Sequence, residues 1–239
     1  MKTISIILFV IIAFFVPINA QWTSFELDNI DSDEFQKQVE PLLETISLST
    51  NRHFFSPINI NKRVGLGVSY SHGFNISGEE YSADLIGGYP NFAGSLVITN
   101  NLLLKGNISL FKSGKDIVQS FAFGFGLNLT NKEKNNWRFS ALFSRLQGPD
   151  DLKNRSLDAA IINEFELRSI PLFVGFGLNT FNTKILIEDI DSIPKSIKGN
   201  ANHLLFGAQI IRGRLTIMPI LQVNSDVIMI SIEIARVFK

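Results

Sequence analysis

Residues 117–130 read Ile-Val-Gln-Ser-Phe-Ala-Phe-Gly-Phe-Gly-Leu-Asn-Leu-Thr. In an extended chain Ile117, Phe121, Phe123, Phe125, Leu127 and Leu129 share one face, while Val118, Ser120, Ala122, Gly124, Gly126, Asn128 and Thr130 share the other. A half-buried soluble strand alternates too, so the make-up of the second face decides. A water-facing strand carries Lys and Glu. Here the second face is Gly, Ser, Ala and Asn, and the charges gather between segments. An apolar outside around an inside of small residues is the pattern of a transmembrane β-barrel.

The same alternation recurs along the chain. Counting outward from 117–130 gives about ten strands, within a range of eight to twelve: 63–71, somewhere in 92–99, 102–111, 117–130, 137–146, 156–168, 171–181, 202–212, 214–223 and 227–238. Val64, Leu66, Val68 and Tyr70 face outward on the first; Ile228, Ile230, Ile232, Ile234 and Phe238 do so on the last. Outer-membrane barrels have short periplasmic turns and longer external loops. With residue 63 at the periplasmic rim, the long connections 72–91 and 182–201, and the Gln147–Asn154 stretch, fall outside. Short connections at Thr99–Asn101, Arg168-Ser169 and Gly213 fall inside. The turn Asn131–Asn136 is longer than that pattern asks for.

Two segments precede the barrel. Residues 1–20 have the form of an export signal: Lys2, an apolar run from Ile4 to Val16, and cleavage after Ala20. That run is shorter than the ~20 residues a membrane-spanning helix needs. Residues 21–61 form an N-terminal helical segment, and 62–239 the barrel. Phe35, Val39, Leu42, Leu43 and Ile46 recur at helical spacing, with Ser32 or Asp33 as candidate caps and Pro41 as a cost that allows a kink. The strand interiors at Gly65, Gly67, Ser69, Gly124, Gly126, Gly175 and Gly177 are so small that something must fill the lumen. The helix is the candidate, inserted or capping the periplasmic mouth; Phe173, Leu103 and Phe111 are the alternative filling.

The inward face of the strands near 137–168 carries Arg138, Asp158, Glu164, Glu166 and Arg168, read as a lumen ionic network with Arg138 near Glu164. Trp137, Arg212, Arg236 and Phe238 stand at the ends of lipid-facing stripes, where aromatic rings and long cations reach headgroups. The belt is unusual, with Phe 21 against Tyr 3 and Trp 2. The three histidines are His53, His72 and His203. His72 and His203, with loop acids Glu79, Glu80, Asp84, Asp189 and Asp191, would be the parts of an outer-rim hydrolase or acyltransferase site. No nucleophile motif accompanies them, and Glu188 with Asp189-x-Asp191 is too short a cluster to specify a metal. With Cys 0 there is no disulfide framework, thiol chemistry or lipid attachment at cysteine, and a net charge of +0 gives no reason to expect nucleic acid. No catalytic residue, cofactor or metal site is assigned.

The alternating stripe Ile228, Ile230, Ile232, Ile234, Phe238 resembles the assembly signal of bacterial outer-membrane proteins, with Arg236 interrupting it and Lys239 following the aromatic. Phe35-Gln-Lys-Gln-Val-Glu-Pro-Leu-Leu43, Pro90-Asn91-Phe92 and Gly124-Phe125-Gly126 resemble a family of exported bacterial barrels with an N-terminal helix. The resemblance implies an outer-membrane location and, as partners, membrane lipid and the barrel-assembly machinery. It assigns no activity. The expected role is passive: small-solute passage, envelope structure or surface interaction. A soluble periplasmic barrel for an apolar ligand is the remaining alternative.

Overall fold

In the computed structural model the described residues are 25, 27, 35–53, 63–76, 88–130, 135–187 and 193–238. The export signal, the caps before the helix, and the acids Glu79, Glu80, Asp84, Glu188, Asp189 and Asp191 lie outside them.

Among the described residues one helix, α1 (Phe35–Thr50), precedes the strands β1 (Val64–Asn75), β2 (Gly88–Val97), β3 (Leu102–Ser113), β4 (Asp116–Asn128), β5 (Asn135–Gln147), β6 (Leu152–Leu167), β7 (Ile170–Ile185), β8 (Ser196–Asn200), β9 (His203–Ala208), β10 (Ile210–Arg212), β11 (Leu215–Val223) and β12 (Val227–Phe238). Against β7, Thr180 pairs Asn200 and Leu172 pairs Ala208, one unbroken register. Against β11, Phe206 pairs Leu221 and Ile210 pairs Ile217, again one register. So β8, β9 and β10 are a single barrel strand with two small gaps, and the closed antiparallel barrel has ten. It is sealed by the first and last strands, from Val64↔Phe238 to Asn75↔Val227.

Strand faces agree with the alternation, and strand ends differ. The second strand starts at Gly88, ahead of the expected 92–99, because Gly88, Tyr89, Pro90 and Asn91 do not alternate in hydrophobicity yet pair with β1. β6 and β7 run on to Leu152 and Ile185, so the loops between are 148–151 and 186–195, shorter than read from sequence. These extensions carry Lys153, Arg155, Asn182 and Lys184 on the outside, and polarity there had the look of a loop. Both barrel ends meet at one rim, here the terminal rim, with the described connections 98–101, 168–169 and 213–214. The opposite, loop rim is where β1, β3, β5, β7 and β11 end, with the described connections 114–115, 148–151 and 224–226. Arg168 and Ser169 both take positive φ (50° and 67°), the backbone of a two-residue hairpin turn.

The exterior is apolar on every strand. Leu66, Phe92, Ile108, Phe123, Leu157, Phe176, Leu204 and Ile230 are all exposed, forming the lipid-facing belt of a membrane barrel. Among the described residues no helix is long and apolar enough to cross a membrane. A charge in mid-belt at Phe123→Lys should therefore cost about 2–4 kcal/mol of stability in a bilayer. Gly124 faces inward, and a Cβ there would press into the Ala141 carbonyl and the Leu142 Cα of β5. Gly124→Ala should accordingly destabilise through the backbone, while Gly106→Ala, whose nearest neighbour is the Ala122 carbonyl at 3.6 Å, should be tolerated. Denaturant unfolding of the refolded protein in lipid vesicles measures all three.

Candidate functional site: the filled lumen

The lumen is occupied in two layers. In the terminal half the strands fill it themselves: Ala93, Ala160, Ile162, Phe173, Leu205, Met218, Ile220 and Ala235 form a buried apolar cluster. In the loop-rim half the filler is α1. Phe35, Val39, Leu42, Leu43, Ile46 and Leu48 are at most 2% exposed and pack with Tyr89, Val118, Leu146, Leu152, Phe181 and Met229. Each contributes roughly 1.5–3 kcal/mol by leaving water. Phe25 and Leu27 join the same cluster, Phe25 lying 6.4 Å from the Phe111 ring. The helix is continuous through Pro41, and the Pro41 carbonyl accepts a bond from the Thr45 hydroxyl at 2.9 Å.

From Pro41 to Thr50 every residue of α1 is buried, the polar ones included. A helix with no water-facing side needs polar partners on its walls, and the serines and asparagines of the inner face supply them. The Ser47 hydroxyl donates to the Asn179 side chain, and Thr50 Oγ1 lies 3.0 Å from Ser144 Oγ. Asn51 Nδ2 donates to Ser156 at 2.7 Å, and Arg52 Nη1 to Ser71 at 2.6 Å. In return Asn91 donates to the Ser49 carbonyl at 3.0 Å and Asn107 to the Arg52 carbonyl at 2.6 Å. The segment is thus tied to walls all round the barrel. It sits toward the loop rim, not at the terminal mouth: Leu27 N–H donates to Asp151 at 2.8 Å, and Asn224 donates to Glu44 at 2.6 Å, both partners lying in loop-rim connections.

Its lower end is a cluster of charges at mid-barrel. Asp158 Oδ1 accepts from His53 Nε2–H at 2.6 Å, and Asp158 Oδ2 accepts from Asn179 at 2.9 Å. His53 Nδ1 lies 2.9 Å from Ser140 Oγ, which also accepts from Lys105 Nζ at 3.1 Å. Arg52 pairs with Glu233 at 3.7 Å, and Arg138 Nη2 with Glu164 at 3.1 Å. Arg52 thus faces Glu233 and Arg138 faces Glu164, and Lys105 lies in the field of both acids. Gly126 leaves room for two of the cations: a Cβ there would lie 3.1 Å from Lys105 Cε and 3.7 Å from Arg138 Cδ.

Of the residues the sequence singled out, Arg138 and Glu164 come together. Asp158 does not join them; it belongs with His53. Glu166 and Arg168 are exposed at the terminal rim. Trp137 is exposed at that rim too, and Arg212, Leu215 and Arg236 share one outward rung there, with the Arg236 guanidinium 4.9 Å from the Phe238 ring centroid. His72 lies on the outer face beside Phe74, ring centroids 4.7 Å apart, whereas His203 is buried in the lumen; the two never share a cleft. Lys105, Glu233, Arg52 and the Ser140–His53 bond were missed by sequence reasoning. The available signal was parity, since Lys105 and Glu233 sit between lipid-facing neighbours and must point inward.

Serine, histidine and aspartate in a chain of hydrogen bonds invite comparison with a hydrolase. Here His53 and Asp158 side chains are 0% and 1% exposed, and attack by a serine needs a substrate carbonyl within about 3–3.5 Å. His53, Asp158 and His203 also offer three ligand atoms within 4.8 Å of one another. At 2.6 Å, however, His53 Nε2 and Asp158 Oδ1 are closer than the ~3.3 Å that tetrahedral zinc ligands keep. The arrangement is a latch between the inserted segment and the wall.

No protein-family model and no curated protein sequence matches the chain. Solved structures do. An outer membrane channel from Pseudomonas putida F1 matches with TM-score 0.46 and 10% identity over 77% of this chain and 100% of that one. The translocator domain of the autotransporter NalP from Neisseria meningitidis matches with TM-score 0.48 and 8% identity over 85% and 96%. Neisserial surface protein A matches with TM-score 0.37 and 14% identity over 73% and 97%. The likeness is one of fold.

Two consequences of the latch are measurable. Asp158→Ala strands His53 and Asn179 and should lower stability by about 3–5 kcal/mol; Asp158→Asn, which keeps an acceptor, should lower it less. Thermal unfolding in detergent reads both. At the loop-rim mouth, outside the strands, burial pushes the Glu44 carboxyl up from 4.5 to about 7, with Asp226 and Glu40 adding to the rise and the Asn224 hydrogen bond opposing it. The folded protein therefore holds this proton more tightly than the unfolded chain, and stability falls as pH rises from about 4.5 to about 7. Glu44→Gln should abolish that component: the gap in melting temperature between variant and wild type should widen in the variant's favour across this window.

Proposed function

We propose that the protein is an integral outer-membrane barrel with a passive role in envelope structure or surface interaction at its loop rim, closed to solutes in the folded state. The observation that carries this reading is the double filling of the lumen, apolar side chains below and a hydrogen-bonded helix above. Ten strands leave little interior beyond side chains, and here α1 takes the rest. Of the passive roles open from sequence, solute passage fits least.

Export by residues 1–20 with cleavage after Ala20, insertion by the assembly machinery through the β12 stripe, and anchoring by Trp137, Arg212, Arg236 and Phe238 belong to the same proposal. The outer-rim hydrolase loses its main support, since His72 and His203 occupy opposite surfaces. A soluble barrel would leave the apolar belt in water, at a cost no soluble monomer of this size sustains.

Two experiments test the reading. The protein should require detergent for extraction and shift on a gel when heated. In planar bilayers the full-length chain should show no steady conductance. Deleting residues 21–50 should lower the melting temperature yet open little current, because the terminal layer remains; adding Ile162→Ala and Phe173→Ala to the deletion should open a pore. Steady conductance of the unaltered protein would overturn the closed reading.

A further inference from the structure

On the described strands every outward-facing charge is a cation. At the terminal rim these are Arg212 and Arg236. At the loop rim they are Lys112 on β3 and five residues gathered on four consecutive strands: Arg145 on β5, Lys153 and Arg155 on β6, Lys184 on β7 and Lys198 on β8. Their register places them within two rungs. Arg145, Arg155, Asn182 and Lys198 lie side by side across the sheet, and Lys153 and Lys184 lie one rung nearer the rim. Directly opposed residues on neighbouring strands stand ~5 Å apart, and rungs on one face are ~7 Å apart. Arg145 faces Arg155, and Lys153 faces Lys184. Like charges so placed repel and weaken a sheet. A fold that keeps two such pairs, with no outward acid on any described strand, is suited to an anion from elsewhere.

The rung below this patch is Phe143, Leu157, Thr180 and Asn200, where the lipid-facing belt begins. A groove of about 430 Å³ joins the two levels, with Arg155 and Lys198 on its upper side and Phe143 and Leu157 on its floor. Its chemistry is amphipathic: cations for oxyanions, and apolar surface for a chain. The groove stands at the upper edge of the apolar belt.

We infer that the outer face of β5–β8 at the loop rim binds the phosphorylated headgroup of a membrane lipid whose acyl chain runs down over Phe143 and Leu157. Arg155 and Lys198 hold the phosphate in the groove; Arg145, Lys153 and Lys184 add positive field around it. Arginine suits phosphate because its planar fork donates two bonds at once. The inference rests on the outer-membrane reading above.

The test uses full-length protein in a neutral detergent, with diphosphoryl lipid A, phosphatidylcholine and inorganic pyrophosphate as probes. Native mass spectrometry reads binding, and thermal unfolding reads stabilisation. Lipid A should bind and raise the melting temperature, whereas phosphatidylcholine and pyrophosphate should do neither to a comparable degree. The double variant Arg155→Gln/Lys198→Gln should weaken lipid A binding at least tenfold, and Lys112→Gln, on a distant strand, should leave it unchanged. In lipid-free detergent the double variant should melt no lower than wild type, since it relieves repulsion; its loss of binding is then not a loss of fold. Equal lipid A binding by the double variant would overturn the site. Pyrophosphate binding as tight as lipid A would overturn the lipid as its source. A chain that stays soluble without detergent would instead overturn the outer-membrane reading, whichever way lipid A behaves.

Discussion

Polar groups of this chain that lie at membrane depth have nowhere to go but inward, and they can be satisfied there only by one another. Hydrocarbon outside the barrel offers no hydrogen bonds, so the ten strands give their outer positions to Phe, Leu, Ile and Val. The lumen of so small a barrel admits little water. A charge such as Asp158 or Lys105 on the inner face must therefore meet an opposite charge or a donor. The structure answers with opposed cations and anions at mid-barrel and a hydrogen-bonded wall above them.

The inserted segment follows from the same constraint. An inner wall of serine, asparagine and glycine is too small to close the loop-rim half by itself, as the larger Ile162, Phe173, Leu205 and Met218 do in the terminal half. A helix of ordinary amphipathic pattern would fill the space but leave its own polar side against the opposite wall. Here that side carries Ser47, Thr50 and Asn51, short groups that reach wall serines and asparagines directly, and Ser49, whose hydroxyl donates to the Met229 sulfur. Helix and wall are complementary in polarity as well as in volume, so each stabilises the other.

This division explains what could be read from the sequence. Period two over 117–130 and its repeats gave the strand faces, since each lipid-facing position must be apolar whatever else varies. Parity put Arg138 and Glu164 on one inner surface, and they pair. The stripe Phe35, Val39, Leu42, Leu43, Ile46 marked the buried side of α1. What failed to show was wherever hydrocarbon ceases to dictate the outer face. β6, β7 and the Ser196–Asn200 segment continue past the belt with Lys153, Arg155, Asn182, Lys184 and Lys198 outward, and polar outer positions are indistinguishable in sequence from loop. The meeting of His53 with Asp158 was invisible for another reason: the partners are 105 positions apart, and no periodicity fixes the height at which an inserted segment stops.

Glycine in the strands shows how one local signal can have several causes. A Cβ on Gly177 would strike the His203 ring, one on Gly207 the Phe173 ring, and one on Gly199 the Phe181 ring. These glycines make room for a neighbour's inward side chain, not for α1. Gly124 and Gly175 instead let the adjacent strand's backbone approach, at Ala141 and Ile161 respectively. The wall residues that hydrogen-bond the inserted segment are serines and asparagines, among them Ser71, Ser144, Ser156, Asn91, Asn107 and Asn179. An inner face of small residues therefore signalled correctly that something large must enter, while concealing that half of the filling comes from the strands themselves. That split is what makes the barrel closed twice over: removing the helix would expose the serine wall to water, which serine tolerates, and would leave the layer of Ile162, Phe173, Leu205 and Met218 in place.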